Sequence, residues 1–211
     1  MEDKKATEIN KLAYMNKYKN IADLLKSVER LERTHLYDVN KFTRSIAHLA
    51  SQLEYFYCHL ADEQGREPNQ TFYYVKTRPH VHQLAYFNIG RGYPKEVMDG
   101  HYCYVLSDLG TKMVIIPCTS IKEDSQNPDP RFQKDIIVRS GNELMVCRLQ
   151  LSDIRAVDIQ RIDVRKDIRE CVTSKAEIHK CVGSVLSTDI SKQHVWKVRY
   201  KDGSDKKKPK R

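Results

Sequence analysis

From Thr7 to Asp62 the chain contains neither Gly nor Pro, and its apolar residues return every three or four positions, the period of an α-helix. Ile21, Leu24, Val28 and Leu31 form a short stripe, and Val39, Phe42, Ile46, Leu49, Leu53, Phe56 and Leu60 form a longer one with heptad spacing. The stretch Thr34 to Asp38 interrupts the pattern, so two helices are expected rather than one rod. The pattern predicts a helical extension over residues 1–64 with the spacing of a short coiled coil. Its stripe would pack on the rest of the protein or on a second copy, or else serve as a docking arm for a partner.

Residues 65–72 carry the turn-rich run G-R-E-P-N-Q-T and read as a linker. Beyond it the period shortens towards two. Thr71–Lys76, Gln83–Ile89, His101–Ser107, Met113–Cys118, Asp135–Arg139 and Leu144–Leu149 are short runs rich in Tyr, Val and Ile, punctuated by Pro79, Gly90 to Pro94, Gly110, the S-Q-N-P-D-P loop and Gly141. A last strand is expected within Ser152–Asp158 and a helix over Lys166–Val185. Many short strands with Gly and Pro breaks imply a small β-barrel. The fold expectation is therefore α+β: a helical segment, then a barrel with a C-terminal helix over residues 73–190, then a tail.

Charge sharpens that division. Of the formal net charge of +9, residues 192–211 hold nine Lys or Arg against Asp202 and Asp205, so only two net positive charges remain elsewhere. The basic signal is a solvated tail over residues 191–211, and any nucleic-acid site in the body must be built from a few placed groups. No run is apolar and long enough to span a membrane, and the start M-E-D-K-K has no apolar signal core. These features predict a cytoplasmic protein. The six cysteines include no C-x-x-C pair, and three lie in apolar strand-like runs; reduced thiols are expected, with no metal and no cofactor. The pair His80 and His82 lacks a third ligand nearby. G-x-x-x-x-G-K, G-x-S-x-G and H-E-x-x-H patterns are missing, which removes nucleotide hydrolysis, esterase and zincin readings.

Three segments carry more specific information: D-G-H-Y-C-Y-V-L-S from Asp99 to Ser107, V-I-I-P-C-T-S from Val114 to Ser120, and L-Q-L-S-D-I-R-A-V-D-I-Q-R-I from Leu149 to Ile162. Two apolar strands joined by a Gly turn, then an I-R-x-V-D segment, resemble the MazF/PemK (Kid) family of toxin ribonucleases. The likeness covers roughly Arg78 to Ile162. It implies an SH3-like barrel of the MazF/PemK/CcdB type and metal-independent cleavage of single-stranded RNA through attack of the neighbouring 2′-OH. It also implies a homodimer and a cognate antitoxin protein as partner.

The resemblance assigns residues as well. Glu96 and His101 keep the family's five-residue spacing between a loop glutamate and a catalytic arginine, so His101 stands where the arginine would be. Arginine is a poor base, whereas histidine, ordinarily near 6.5, exchanges protons close to neutral pH. The exchange is thus conservative in role though not in shape. Tyr102 is the alternative if the register slips by one. Thr119 matches the hydroxyl residue that donates to the scissile phosphate, with Ser120 adjacent. Arg155 would reach the RNA, buttressed by Asp158. His101 and Thr119 are the expected catalytic pair; Glu96, Ser120, Arg155 and Tyr102 are the expected RNA contacts. Each has a plainer reading: a solvated strand-start histidine, a strand-end hydroxyl, an ordinary ion pair. Tyr73, Tyr74, Tyr86 and Phe87 offer base-stacking surfaces or core. A barrel that has lost cleavage and only binds RNA or protein is the alternative function.

Overall fold

The interruption at Thr34 to Asp38 separates two helices. A computed structural model describes residues 2–60, 75, 77–93 and 95–187, the side chains of residues 2–13 and 60 excepted. The strand expected over Thr71–Lys76 except Val75, the linker, Tyr73, Tyr74 and the tail lie outside the described residues. Helix α1 spans Glu2–Glu32 and α2 spans Val39–Tyr55, continued by a wider π-type turn over Phe56–Leu60. Between the helices, the Thr34 hydroxyl donates to Leu31 O at 2.7 Å and His35 adopts a left-handed φ of 53°. Asp38 then caps α2, its carboxylate accepting from the Lys41 N–H at 2.8 Å. The longer stripe is amphipathic as expected, yet no residue of α2 is buried: Phe42, Ile46 and Leu49 are half-buried and Leu53 is 49% exposed.

The segment Gly90–Asp99 belongs to this helical unit. There Asp99 accepts from the Ser45 hydroxyl and from Arg91 Nη1 (2.8 Å), and the Arg91 guanidinium lies 5.9 Å over the Tyr37 ring.

The second unit runs over 75–89 and from 100 onward. It is an antiparallel assembly of β1 (Gln83–Asn88), β2 (Gly100–Asp108), β3 (Lys112–Ser120), β4 (Gln133–Ser140), β5 (Glu143–Gln150), β6 (Arg155–Asp158) and β7 (Arg169–Cys171), followed by α3 (Lys175–Leu186). Six strands close a barrel in the order β1–β2–β3–β5–β4–β7 and back to β1. Strand β6 pairs with the first half of β3, whose second half pairs with β5. The architecture is a closed six-stranded antiparallel β-barrel with helices, an α+β protein.

One expectation needs correction. Lys166–Val185 is not a single helix: β7 occupies Arg169–Cys171, and α3 begins only after Ser174. Three residues are too few to display a strand period, and β7 forms because β1 and β4 both offer it backbone partners.

The lumen is filled by Leu84, Tyr104, Ile116, Cys118, Ile136, Val138 and Leu149, with Ile178 and Val182 of α3 packed into the same cluster. A further set of buried residues includes Phe87, Cys103, Val105, Met113, Ile115 and Ile159. Strands β2 and β3 thus bury both faces, which explains why V-I-I-P-C is a continuous apolar run rather than an alternating one. Phe87 is fully buried, so of its two readings core is correct.

Candidate functional site

The chemistry-bearing residues sit at the end of the β2–β3 ladder. Cys103 pairs with Pro117 at the end of the observed register, and His101 and Thr119 each lie two residues beyond it. Residues level in an antiparallel pair share a face, and the His101 Nδ1 lies 3.1 Å from the Cys118 carbonyl between them. Thr119 also pairs with Arg148 on β5, and Ile115 pairs with Arg155 on β6. Since 115, 117 and 119 alternate onto one face of β3, His101, Thr119, Arg148 and Arg155 all present to that face.

A carbonyl oxygen only accepts, so the His101 Nδ1 carries the hydrogen. In the neutral ring Nε2 is then the free acceptor. The Thr119 hydroxyl oxygen accepts from Gln150 Nε2 at 2.9 Å. Both arginines are committed to carboxylates. Arg155 donates to Asp153 Oδ1 at 3.0 Å, and Arg148, only 8% exposed, grips Asp135 through Nε (2.6 Å) and Nη2 (3.0 Å). Arg148 Nη1 also donates to Gln126 O at 2.6 Å, pinning the S-Q-N-P-D-P loop beside the face.

Tyr102 and Ser120 do not share this face. Alternation turns Tyr102 and Ser120 to the opposite face from His101 and Thr119. The Tyr102 hydroxyl donates to Asp167, whose other oxygen accepts from Ser140 Oγ (2.8 Å) and Arg169 Nε (3.1 Å); the Arg169 guanidinium stacks 3.5 Å over the Tyr102 ring. Burial, reinforced by Asp167, raises the Tyr102 hydroxyl to about 12, and the Tyr102 hydrogen bond draws Asp167 down to about 2. Tyr102 is a structural member of a satisfied network. Glu96 belongs to the helical unit, where its carboxylate accepts from the Tyr93 N–H at 3.2 Å. A Cβ on Gly92 would stand 1.9 Å from that carboxylate oxygen, so a larger residue there would make the exposed Glu96 side chain swing aside.

The expected support of Arg155 by Asp158 is overturned. Residues three apart on a strand face opposite ways, so Asp158 instead caps the turn Ile159–Arg161, accepting from the Gln160 N–H at 2.9 Å, and Asp153 holds the arginine. Sequence reasoning also passed over Arg148 and Gln150. Their only signal is the β3–β5 register, which strands so far apart in sequence do not announce. Among the described residues no group of three or more His, Cys, Asp or Glu is placed to hold a metal ion, and no helix is long and apolar enough to cross a membrane.

No protein-family model matches the chain, and no curated protein matches it.

Proposed function

We propose that the protein is a metal-independent endoribonuclease of the MazF/PemK toxin type, cutting single-stranded RNA through its SH3-like barrel. The observation that supports this most is the His101 Nδ1 at 3.1 Å from the Cys118 carbonyl, next in the chain to Thr119, a contact that fixes the imidazole tautomer. The His101 Nε2 is the group that trades protons, taking one from the 2′-OH as that oxygen attacks phosphorus. The phosphorus–5′-oxygen bond breaks, the leaving oxygen gains a proton, and the products are a 2′,3′-cyclic phosphate and a 5′-OH end. Thr119 holds a phosphate oxygen. Homodimerisation, an antitoxin partner and a cytoplasmic setting accompany this reading.

The test is cleavage of a long single-stranded RNA in the presence of EDTA by wild type, His101→Ala and Thr119→Ala. His101→Ala should lower the rate about 10²-fold to 10⁴-fold, the usual range for a positioned proton-transfer group. Equal rates in all three would move the site elsewhere. The ion pairs that neutralise Arg148 and Arg155 favour a second reading, in which the barrel binds RNA or a protein without cutting. Failure of wild type to cut under any condition would select it.

A further inference from the structure

Thr119 is held by a chain of hydrogen bonds that starts in a loop and ends on its oxygen. The Asp129 N–H donates to Gln133 Oε1 at 3.0 Å, Gln133 Nε2 donates to Gln150 Oε1 at 3.1 Å, and Gln150 Nε2 donates to Thr119 Oγ1 at 2.9 Å. The direction of this chain is set at its origin. A backbone N–H can only donate, so the Gln133 oxygen must face it and the Gln133 amide nitrogen must face β5. That nitrogen demands the Gln150 oxygen, which leaves the Gln150 nitrogen for Thr119. Flipping Gln133 would break two bonds, and flipping Gln150 would set its nitrogen against the Gln133 nitrogen.

The scaffold on which the chain is mounted is rigid. Gln133 and Gln150 are register partners on β4 and β5, and the Gln133 N–H closes a turn onto Asp129 O at 2.7 Å. Arg148, two residues before Gln150 and opposite Thr119, ties the loop through Gln126. All four groups of the chain are partly shielded from water, where such bonds gain strength and polarise one another.

We infer that Gln150, oriented by Gln133, is a positioning residue that turns the Thr119 hydroxyl hydrogen towards a phosphate oxygen. A threonine hydroxyl has one hydrogen and two lone pairs. With Gln150 donating into its oxygen, its own hydrogen is directed away from Gln150 and points at an acceptor. A non-bridging phosphodiester oxygen is such an acceptor. Thr119 then acts as a donor to the phosphate, and the proton-trading role stays with His101. This inference rests on the ribonuclease reading and specifies which part of the RNA each side chain meets.

The experiment compares wild type, Gln150→Glu, Gln150→Met, Thr119→Val and the double variant Gln150→Glu with Thr119→Val on a single-stranded RNA. The carboxylate introduced at 150 cannot donate and draws the Thr119 hydrogen to itself, so kcat should fall about tenfold to a hundredfold, less than the full loss of a transition-state donor, with KM nearly unchanged. Gln150→Met keeps the volume, guards against a folding artefact and should cost less. If Gln150 acts only through Thr119, the double variant is no slower than Thr119→Val. Multiplying effects, or wild-type kcat in Gln150→Glu, would overturn the inference. If wild type cuts nothing, the ribonuclease reading fails separately, and a 2′-O-methyl oligonucleotide reads the same chain by affinity. Gln150→Glu and Thr119→Val should then weaken binding equally and without adding; unchanged or additive affinities would reject it.

Discussion

At the scale of single residues, His82 shows how one contact sets a response to pH. Its Nδ1 lies 3.0 Å from the hydroxyl of the fully buried Tyr104, and the two rings meet edge to face. Burial, helped by the nearby Lys175 and His179, lowers the His82 pKa below the ordinary histidine value. The folded chain therefore binds this proton less readily than the unfolded chain does. The stabilising contribution is complete above roughly pH 6.5 and is lost as pH falls below it towards the folded value. Melting temperature should decline on acidification through that window, and less steeply in His82→Gln, which keeps a polar group near Tyr104 but does not titrate. Parallel curves for the two proteins would acquit His82. Arg155 gives the complementary lesson. Within a strand a residue three positions on faces the other way, so the carboxylate that reaches Arg155 is Asp153, two residues before it, and not Asp158.

Among elements, β7 separates what the sequence makes legible from what it does not. The six longer strands carried their own signal, because Gly110 and Gly141 mark tight turns with positive φ and the runs between them are rich in β-branched residues. The helices before Asp62 were equally legible from their period and from its break at Thr34 to Asp38. Strand β7 was not, since its pairing of Glu170 with both Gln83 and Arg139 is a property of the closed barrel and not of R-E-C. The face shared by His101 and Thr119 followed from local β2–β3 pairing, whereas Gln150 and Arg148 entered through the non-local β3–β5 register. Closure at β7 is reinforced by Asp167, which bridges Tyr102 on β2, Ser140 on β4 and Arg169 on β7. Its side chain is 48% exposed, so Asp167→Asn should cost only about 1 kcal/mol by urea denaturation at neutral pH. Because its folded pKa is depressed to about 2, that difference should persist above roughly pH 4 and vanish as pH falls towards 2. An unchanged midpoint would mean that backbone pairing alone closes the barrel. Burial of α3 makes a larger demand: Ile178 is fully buried in the barrel core, and Ile178→Ala should destabilise by about 2–5 kcal/mol in the same assay.

For the whole molecule, the distribution of charge decides where attraction to the proposed RNA substrate would originate. Of the arginines described in the barrel unit, Arg78, Arg131, Arg139, Arg148, Arg155, Arg165 and Arg169 each hold a carboxylate. Arg161 is the exception among the described residues, donating to the Asn88 carbonyl at 2.9 Å. A face neutralised in this way selects by geometry but draws a polyanion weakly from a distance. The unbalanced cations are concentrated in residues 192–211, and the run from Asp205 to Arg211 alone contributes five of them. Each phosphate neutralised on a single strand adds about 0.7 to the slope of log affinity against log salt. Deleting Asp205 to Arg211 should therefore weaken RNA binding at low ionic strength and flatten that slope by up to about 3.5. The positions at which RNA is cut should stay the same, because His101, Thr119 and Gln150 are untouched. Affinities measured across a salt series, with the cleavage pattern mapped alongside, check both halves. A changed pattern would place the tail within the site, and an unchanged slope would show that the barrel supplies the attraction despite its ion pairs.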